Sequence, residues 1–415
     1  MSPTRIPRRA FLAAILSAGM SRTALAAEQA DLAALDDLMI TFLKDEHPPG
    51  AELAVTRDGR LVYARGFGVT AYQGTEAVQP SALFRIASIS KPITAVAVLQ
   101  LVERGKLALD TRVWEVLRLP EPSDRRWKRI TVLHLLQHTG GWDRDETFDP
   151  MFRSADVVRA LRVPPPARPA DIIRYMLGRP LDFDPGGRFA YSNFGYCLLG
   201  RVIEAVSGTA YEPHVQHDVL APLGITRMRL GKTLVAERAA GEVSYYGQNH
   251  FGAAVMGVVG GRVPAPYGTW SLEAMDSHGG WLASAVDLVR FACAFDVPER
   301  CPILRPRTIE TMFARPDGLA GYDGSSKPRA VYYACGWTVR ALAGRGRVNT
   351  WHTGSLMGTS TLLVRRFDGK NWAILFNMRT ARNGRRLSDT IDPLIHKAVD
   401  RVKRWPETDL FPRLL

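Results

Sequence analysis

The chain has 415 residues, of which 46% are hydrophobic and 23% charged, a globular composition that excludes wholesale disorder and any small disulfide-stapled scaffold. The formal net charge is +13, yet the arginines are scattered instead of lining one stripe beside aromatics, so no nucleic-acid partner is expected. The longest apolar run near a terminus, residues 11–20, is about half of the roughly 20 residues that span a bilayer, so no transmembrane anchor is expected either.

Residues 1–26 have the layout of an export signal: Arg5, Arg8 and Arg9, then the apolar run, then Ala24-Leu25-Ala26 as a cleavage site. The adjacent Arg8-Arg9 followed by Ala10-Phe11-Leu12 is similar to a twin-arginine signal, with an ordinary secretory signal as the plainer reading. Both place the protein outside the cytoplasm, in the periplasm or secreted. Removing this segment takes away four arginines and no acid, which leaves +9, a moderate surface excess.

Helical spacing of Leu32, Leu35, Leu38, Ile40 and Phe42 predicts a first amphipathic helix over 31–43. Two strands, 51–56 and 61–67, flank Asp58-Gly59, a hairpin signature, and the pattern repeats near the other end with 360–366 and 371–377 around Asp368-Gly369. A closing helix is expected around 391–402. Between these ends lie helical stretches at 91–104, 132–137, 170–176, 195–206 and 285–294, punctuated by Pro164-Pro165-Pro166. The expected fold is therefore α/β (α+β): an antiparallel sheet flanked by helices and built from both termini, with an inserted mostly α-helical subdomain. The sheet subdomain would take residues 27–85 and 285–415 and the insert 86–284, with a crevice between them suited to an active site. None of the four cysteines, at 197, 293, 301 and 335, forms a C-x-x-C pair. Cys293 and Cys301 are near enough to staple a loop, and free thiols fit equally well.

Three stretches carry chemistry. Ser88 and Lys91 stand at i and i+3 of a helix start, which puts amine and hydroxyl on one face; a desolvated lysine can take a serine proton, whereas arginine stays protonated. Only nine of the 54 basic residues are lysines, so its presence here is informative. Tyr191-Ser192-Asn193 follows the turn Asp184-Pro185-Gly186-Gly187. A phenol beside a lysine ammonium has a lowered pKa and can pass protons, and a carboxamide can hold a substrate carbonyl. Read alone, the triplet is a buried tyrosine with a helix cap. Finally, His352-Thr353-Gly354-Ser355 precedes the second hairpin, where Gly354 would let substrate approach the backbone and the amides of Ser355 and Ser88 would form an oxyanion hole.

Taken together, Ser88/Lys91, Tyr191/Asn193 and His352 to Gly354 resemble, in order, the S-x-x-K, Y-x-N and K/H-T-G motifs of the serine β-lactamase-like, penicillin-binding-protein-like hydrolases: class C β-lactamases, DD-peptidases and lactamase-like esterases. Phe84-Arg85-Ile86-Ala87, the stretch 130–141 and Gly279-Gly280-Trp281-Leu282-Ala283-Ser284 resemble that family's context as well. The resemblance implies that Ser88 is the acylated nucleophile, that Lys91 and Tyr191 share the proton work, and that Asn193, His352, Thr353, Gly354 and Ser355 bind substrate. It implies no cofactor and no metal. His134 and His138 have zinc-helix spacing but lack the glutamate of H-E-x-x-H, and G-x-S-x-G is absent. Many β-lactamases carry a third-motif lysine that attracts the drug's carboxylate. His352 is largely neutral near pH 7, which tilts the expectation toward an esterase or D-amino-acid peptidase. A true class C-type β-lactamase and a non-catalytic binder of cell-wall fragments or of a protein partner are the alternatives. The expected substrates are small esters, amides or peptides, including peptidoglycan-derived ones.

Overall fold

The computed structural model describes residues 22–256, 260–344 and 347–414. The arginine pair and apolar run of the expected export signal lie outside them. Helix α1 (Arg22–Glu46) leads into strands β1 (Gly50–Arg57) and β2 (Arg60–Gly68). The turn between them has Asp58 and Gly59 at φ 51° and 77°, the mirror-image two-residue turn whose twist matches a hairpin. Short strands follow: β3 (Phe84–Arg85), β4 (Arg229–Leu230), β5 (Phe251–Ala253), β6 (Arg262–Pro264) and β7 (Trp281–Ala283). The C-terminal part supplies β8 (Val331–Tyr333), β9 (Thr338–Ala341), β10 (Val348–Leu356), β11 (Thr359–Arg365) and β12 (Lys370–Phe376).

The main antiparallel sheet runs β2-β1-β12-β11-β10-β9-β8. β1 and β12 lie side by side in the register Leu53 to Ile374, so the two ends of the chain meet in mid-sheet. Side chains alternate between two cores, as the pleat requires. Leu53 and Val55 pack with Leu35 and Met39 of α1 and with Ile391 and Ile395 of the helix Leu387–Arg401, while Ala54 and Ala373 join the larger core that runs into the middle of the chain.

That middle region holds the helices expected from the periodicity, at Val132–Leu136, Pro169–Leu177, Asn193–Ser207 and Ala285–Cys293. At its centre is α2 (Ser90–Glu103), in which every residue from Ser90 to Leu101 is buried. A helix enclosed on all sides has no polar face to turn toward water, so its orientation is set by packing alone. The sequence expectations lack β8, β9, β10, the three-stranded sheet β3-β7-β4 and the hairpin β5-β6. All of these strands but the nine-residue β10 are two to four residues long, below the length at which alternation becomes a signal. All four cysteines are free.

Glu52 is fully buried in β1, and its carboxyl oxygens make no well-formed hydrogen bond, the amides of Ala285 and Val286 acting on them only weakly. Burial drives its pKa well up, and nearby Asp287 adds to the rise; the amides of Ala285 and Val286 and the charge of Arg227 only partly oppose it. A carboxyl that holds its proton in the folded state stabilises the fold below its unfolded pKa, and that contribution is lost as pH rises. Glu52→Gln needs no proton, so its melting temperature should exceed that of the parent protein by a few degrees at pH 8 and match it near pH 4, as read by differential scanning fluorimetry. A gap that is flat across pH would show that Glu52 does not titrate on folding.

Candidate active site

Ser88 sits in the single turn Ala87–Ile89 between β3 and α2. The segment entering this turn is clamped from both sides. Ile86 donates its N–H to Trp281 O at 3.0 Å, and the hydroxyls of Thr359 and Thr361 on β11 donate to the carbonyls of Arg85 and Ile86, each at 3.0 Å. Gly354 on β10 lies against the same carbonyl, where a Cβ would collide with Ile86 O and the Thr361 hydroxyl. The glycine of the third motif therefore makes room for the segment entering the Ser88 turn, whereas the sequence suggested room for substrate. Ala87, at φ 48°, adopts a left-handed conformation that costs a non-glycine residue energy. It holds Ser88 partly exposed above a buried α2.

The Lys91 side chain is wholly buried. Its Nζ lies 3.1 Å from Ser88 Oγ, 2.7 Å from Asn193 Oδ1 and 2.9 Å from the carbonyl oxygen of His278. Two of these three partners accept only. In its neutral form the amine would give those two its N–H bonds and turn the remaining lone pair toward the Ser88 hydroxyl. Burial favours this neutral form by pushing the Lys91 pKa well below its ordinary value; Asp149 pulls it up and Arg144 pushes it further down. The Asn193 amide is kept from turning over by Asp149, whose Oδ2 accepts from Asn193 Nδ2 at 2.6 Å. Asp149 itself begins a short helical turn by accepting from Met151 N–H at 3.1 Å.

Tyr191 completes the group. Its hydroxyl lies close enough to the Ser88 side chain to feel it, and burial raises its pKa above the ordinary phenol value. The sequence led to a lowered value because a neighbouring ammonium was assumed. Burial of the phenol itself is the dominant influence, so it keeps its proton. The Lys91 nitrogen stands 4.8 Å from the Tyr191 ring centroid, and the Arg144 guanidinium lies 4.7 Å from it. His138 supports the same ring at 4.3 Å between centroids, and its Nδ1 accepts the Ser192 N–H at 3.2 Å. The Ser192 side chain in turn caps the helix Asn193–Ser207 by accepting from Gly195 N–H.

His352 is buried, and its pKa is pushed down to about 3 by desolvation and by Lys91. Its Nδ1 is 2.8 Å from the carbonyl of Thr353, which can only accept, so the proton resides there and Nε2 accepts from the Tyr333 hydroxyl at 3.0 Å. The imidazole is thus neutral and engaged behind Tyr191.

A family model described as Beta-lactamase matches residues 35–392, the greater part of the chain. The chain belongs to the Beta-lactamase family. It is 33% identical over 178 residues to the probable fimbrial assembly protein FimD, serogroup H1, of Dichelobacter nodosus, covering 43% of each. It is also 33% identical over 221 residues to Esterase EstB of Burkholderia gladioli, covering 50% of this chain and 54% of the relative. The chain therefore spans about half the length of these curated relatives. Its fold is similar to that of the octameric penicillin-binding protein homologue from Pyrococcus abyssi, with a TM-score of 0.67 at 24% identity over 88% of this chain and 78% of the other.

In this Beta-lactamase-family chain a cavity of about 280 Å³ opens beside Ser88, walled by that residue, Asn193, Ser355, Arg144, Trp270 and Arg379 among others. His352, Thr353 and Gly354 are not among its walls, so of the third motif only Ser355 faces it. A wider hollow of about 520 Å³ lies at the far end of α2, beside Glu103 and Arg305, away from the Ser88–Lys91 pair. Sequence reading missed Asp149, Arg144, Arg379 and the His278 carbonyl. The Asp149-Pro150 pair, an acid just before a helix-starting proline, carried a capping signal for the first; the others carried none.

Asp149 and Arg144 act on Lys91 with opposite sign, so their removal should move the acid limb of a kcat/KM profile in opposite directions. Asp149→Asn takes away the charge that favours the ammonium and lowers the limb by roughly one pH unit, while Arg144→Gln raises it. Hydrolysis of p-nitrophenyl butyrate from pH 4 to 10 reads both. Shifts of the same sign would exclude this electrostatic pairing.

Proposed function

We propose that this protein is a serine hydrolase acting on ester or amide substrates through a covalent acyl-enzyme on Ser88, with esters and D-amino-acid amides or peptides as the substrate class. The observation that carries this reading is the buried Lys91 amine, whose lone pair is left for the Ser88 hydroxyl once Asn193 and His278 have taken its hydrogens.

In the first half-reaction Lys91 Nζ accepts the Ser88 proton as Oγ bonds to the substrate carbonyl carbon. The carbonyl oxygen, now anionic, is held by the backbone amides of Ser88 and Ser355, donors fixed in advance by the docked turn and β10. Tyr191, still a phenol, gives its proton to the departing alcohol or amine as the tetrahedral centre collapses, and the Lys91 ammonium replaces it. Water then attacks the acyl carbon while Lys91, again neutral, accepts its proton; the bond from Ser88 Oγ to that carbon breaks, the acid is released, and the proton passes from Lys91 back to Oγ. Partial likeness to an esterase supports the ester side of this reading, and the uncharged His352 weighs against a third-motif charge that anchors β-lactams. Export belongs to the proposal and rests on the arginine pair, the apolar run and Ala24-Leu25-Ala26 near the N-terminus.

Incubation with a fluorophosphonate probe followed by intact mass spectrometry should show one adduct, absent in Ser88→Ala. Lys91→Arg keeps the charge but offers no lone pair, and p-nitrophenyl butyrate turnover should drop by about 10²-fold or more. Turnover that survives either substitution in a folded protein refutes the assignment, and a parent protein that is neither labelled nor active indicates a binding role.

A further inference from the structure

One wall of the cavity beside Ser88 is Trp270, which is 4% exposed and packs with Ala87, Leu272, Met275 and Leu356 as a small core of its own. The stretch that delivers Trp270 has little regular structure: between β4 and β7 the strands among the described residues are β5 and β6, of three residues each. A stretch with so few ladder bonds opens easily unless it is tied to something rigid. Arg85, three residues before Ser88, provides the tie. Its side chain is wholly buried. Nη1 donates to Pro266 O and Nη2 to Lys232 O, each at 2.7 Å, while Nε faces Glu242 Oε1 at 3.5 Å. The guanidinium also lies 4.4 Å from the ring centroid of Tyr245, 5.3 Å from that of Tyr267 and 5.5 Å from that of Trp270. The Tyr245 hydroxyl closes the socket, accepting from Arg85 N–H and donating to Glu242 Oε1, both at 2.8 Å. Every partner of the guanidinium thus comes from residues 232–270. The wall folds around one planar cation that forks onto carbonyls and stacks on rings at once.

The turn itself is held by other contacts. The Arg85 carbonyl accepts from Thr359 Oγ1, the Ile86 N–H reaches Trp281 O, and β3 pairs with β7. None of these uses the Arg85 side chain, so the Ser88 turn hangs on backbone bonds and the cavity wall on the guanidinium. We infer that Arg85 is a positioning residue that sets substrate affinity by fixing Trp270 at the cavity, without touching substrate and with no part in proton transfer. The inference rests on the acyl-enzyme reading above and extends it from the reacting atoms to the wall that receives the substrate. A side chain that lines a site holds its ligand only as well as its own supports hold it, and for Trp270 the charged support is Arg85.

A double-mutant cycle tests this route. Arg85→Lys keeps the charge but neither forks onto two carbonyls nor lies flat on the rings. In that variant KM for p-nitrophenyl butyrate should rise about tenfold while kcat stays within about threefold. Trp270→Ala should raise KM as well, and adding Arg85→Lys to it should change KM by less than about twofold, because both act through one contact. Glu242→Gln loosens the same socket more gently; its smaller rise in KM should also vanish beside Trp270→Ala, which keeps the test open if Arg85→Lys does not fold. An unchanged KM in Arg85→Lys or in Trp270→Ala, additive rises, or a loss confined to kcat overturn the inference. Failure of the acyl-enzyme reading would show differently, as turnover of the same ester that survives Ser88→Ala.

Discussion

The site is organised by what surrounds one nitrogen atom. Lys91 Nζ has no room for water and no acid in direct contact; its partners are a carboxamide oxygen, a backbone carbonyl and the hydroxyl of Ser88. An ammonium in that position would lose its hydration for neutral acceptors, which is why the amine form prevails. From that bias follows the direction of the lone pair, while the retained proton on Tyr191 and the neutrality of His352 come chiefly from their own burial. Asp149 and Arg144 then adjust the bias from one step away, the carboxylate through its hold on Asn193 and the guanidinium from the face of Tyr191.

Such an arrangement needs several segments to arrive in register. Lys91 is fixed by a helix with no exposed face, Asn193 by a helix whose first residues are capped by Ser192, and the His278 carbonyl by the turn Asp276–Gly279 before β7. The sheet contributes by docking: two threonine hydroxyls and one missing side chain, at Gly354, let β10 and β11 press onto the Arg85 and Ile86 carbonyls. This brings the amide of Ser355 beside Ser88.

Much of this was legible in the chain. Hairpins announced by Asp-Gly pairs, helices with a regular apolar stripe, and a serine and lysine three residues apart are local statements, and local geometry turns them into structure with little outside help. What was not legible is relational. Asp149 matters because it meets an amide 44 residues away, and Arg379 because it borders a cavity made by other segments. Gly354 illustrates the limit well: the need for a glycine was plain, but the object filling the space is a carbonyl from residue 86, which only the assembled sheet reveals. The pKa of Tyr191 was read in the wrong direction for the same reason, since its sign depends on how completely the assembled site buries the phenol.

The pairing of β1 with β12 also bears on how the molecule is made. During synthesis the β1-β2 hairpin emerges early, yet the strand that covers its other edge, β12, ends at Phe376. Until the ribosome has passed that point, a strand buried on both faces in the finished protein presents unpaired backbone groups along one side, which invites association with other nascent chains. Closing so long a loop is slow compared with forming the helices in between. The central region can therefore acquire its helices first, with completion of the sheet as the late event, and a truncation that removes the last strands would cost the protein its middle and not merely its end.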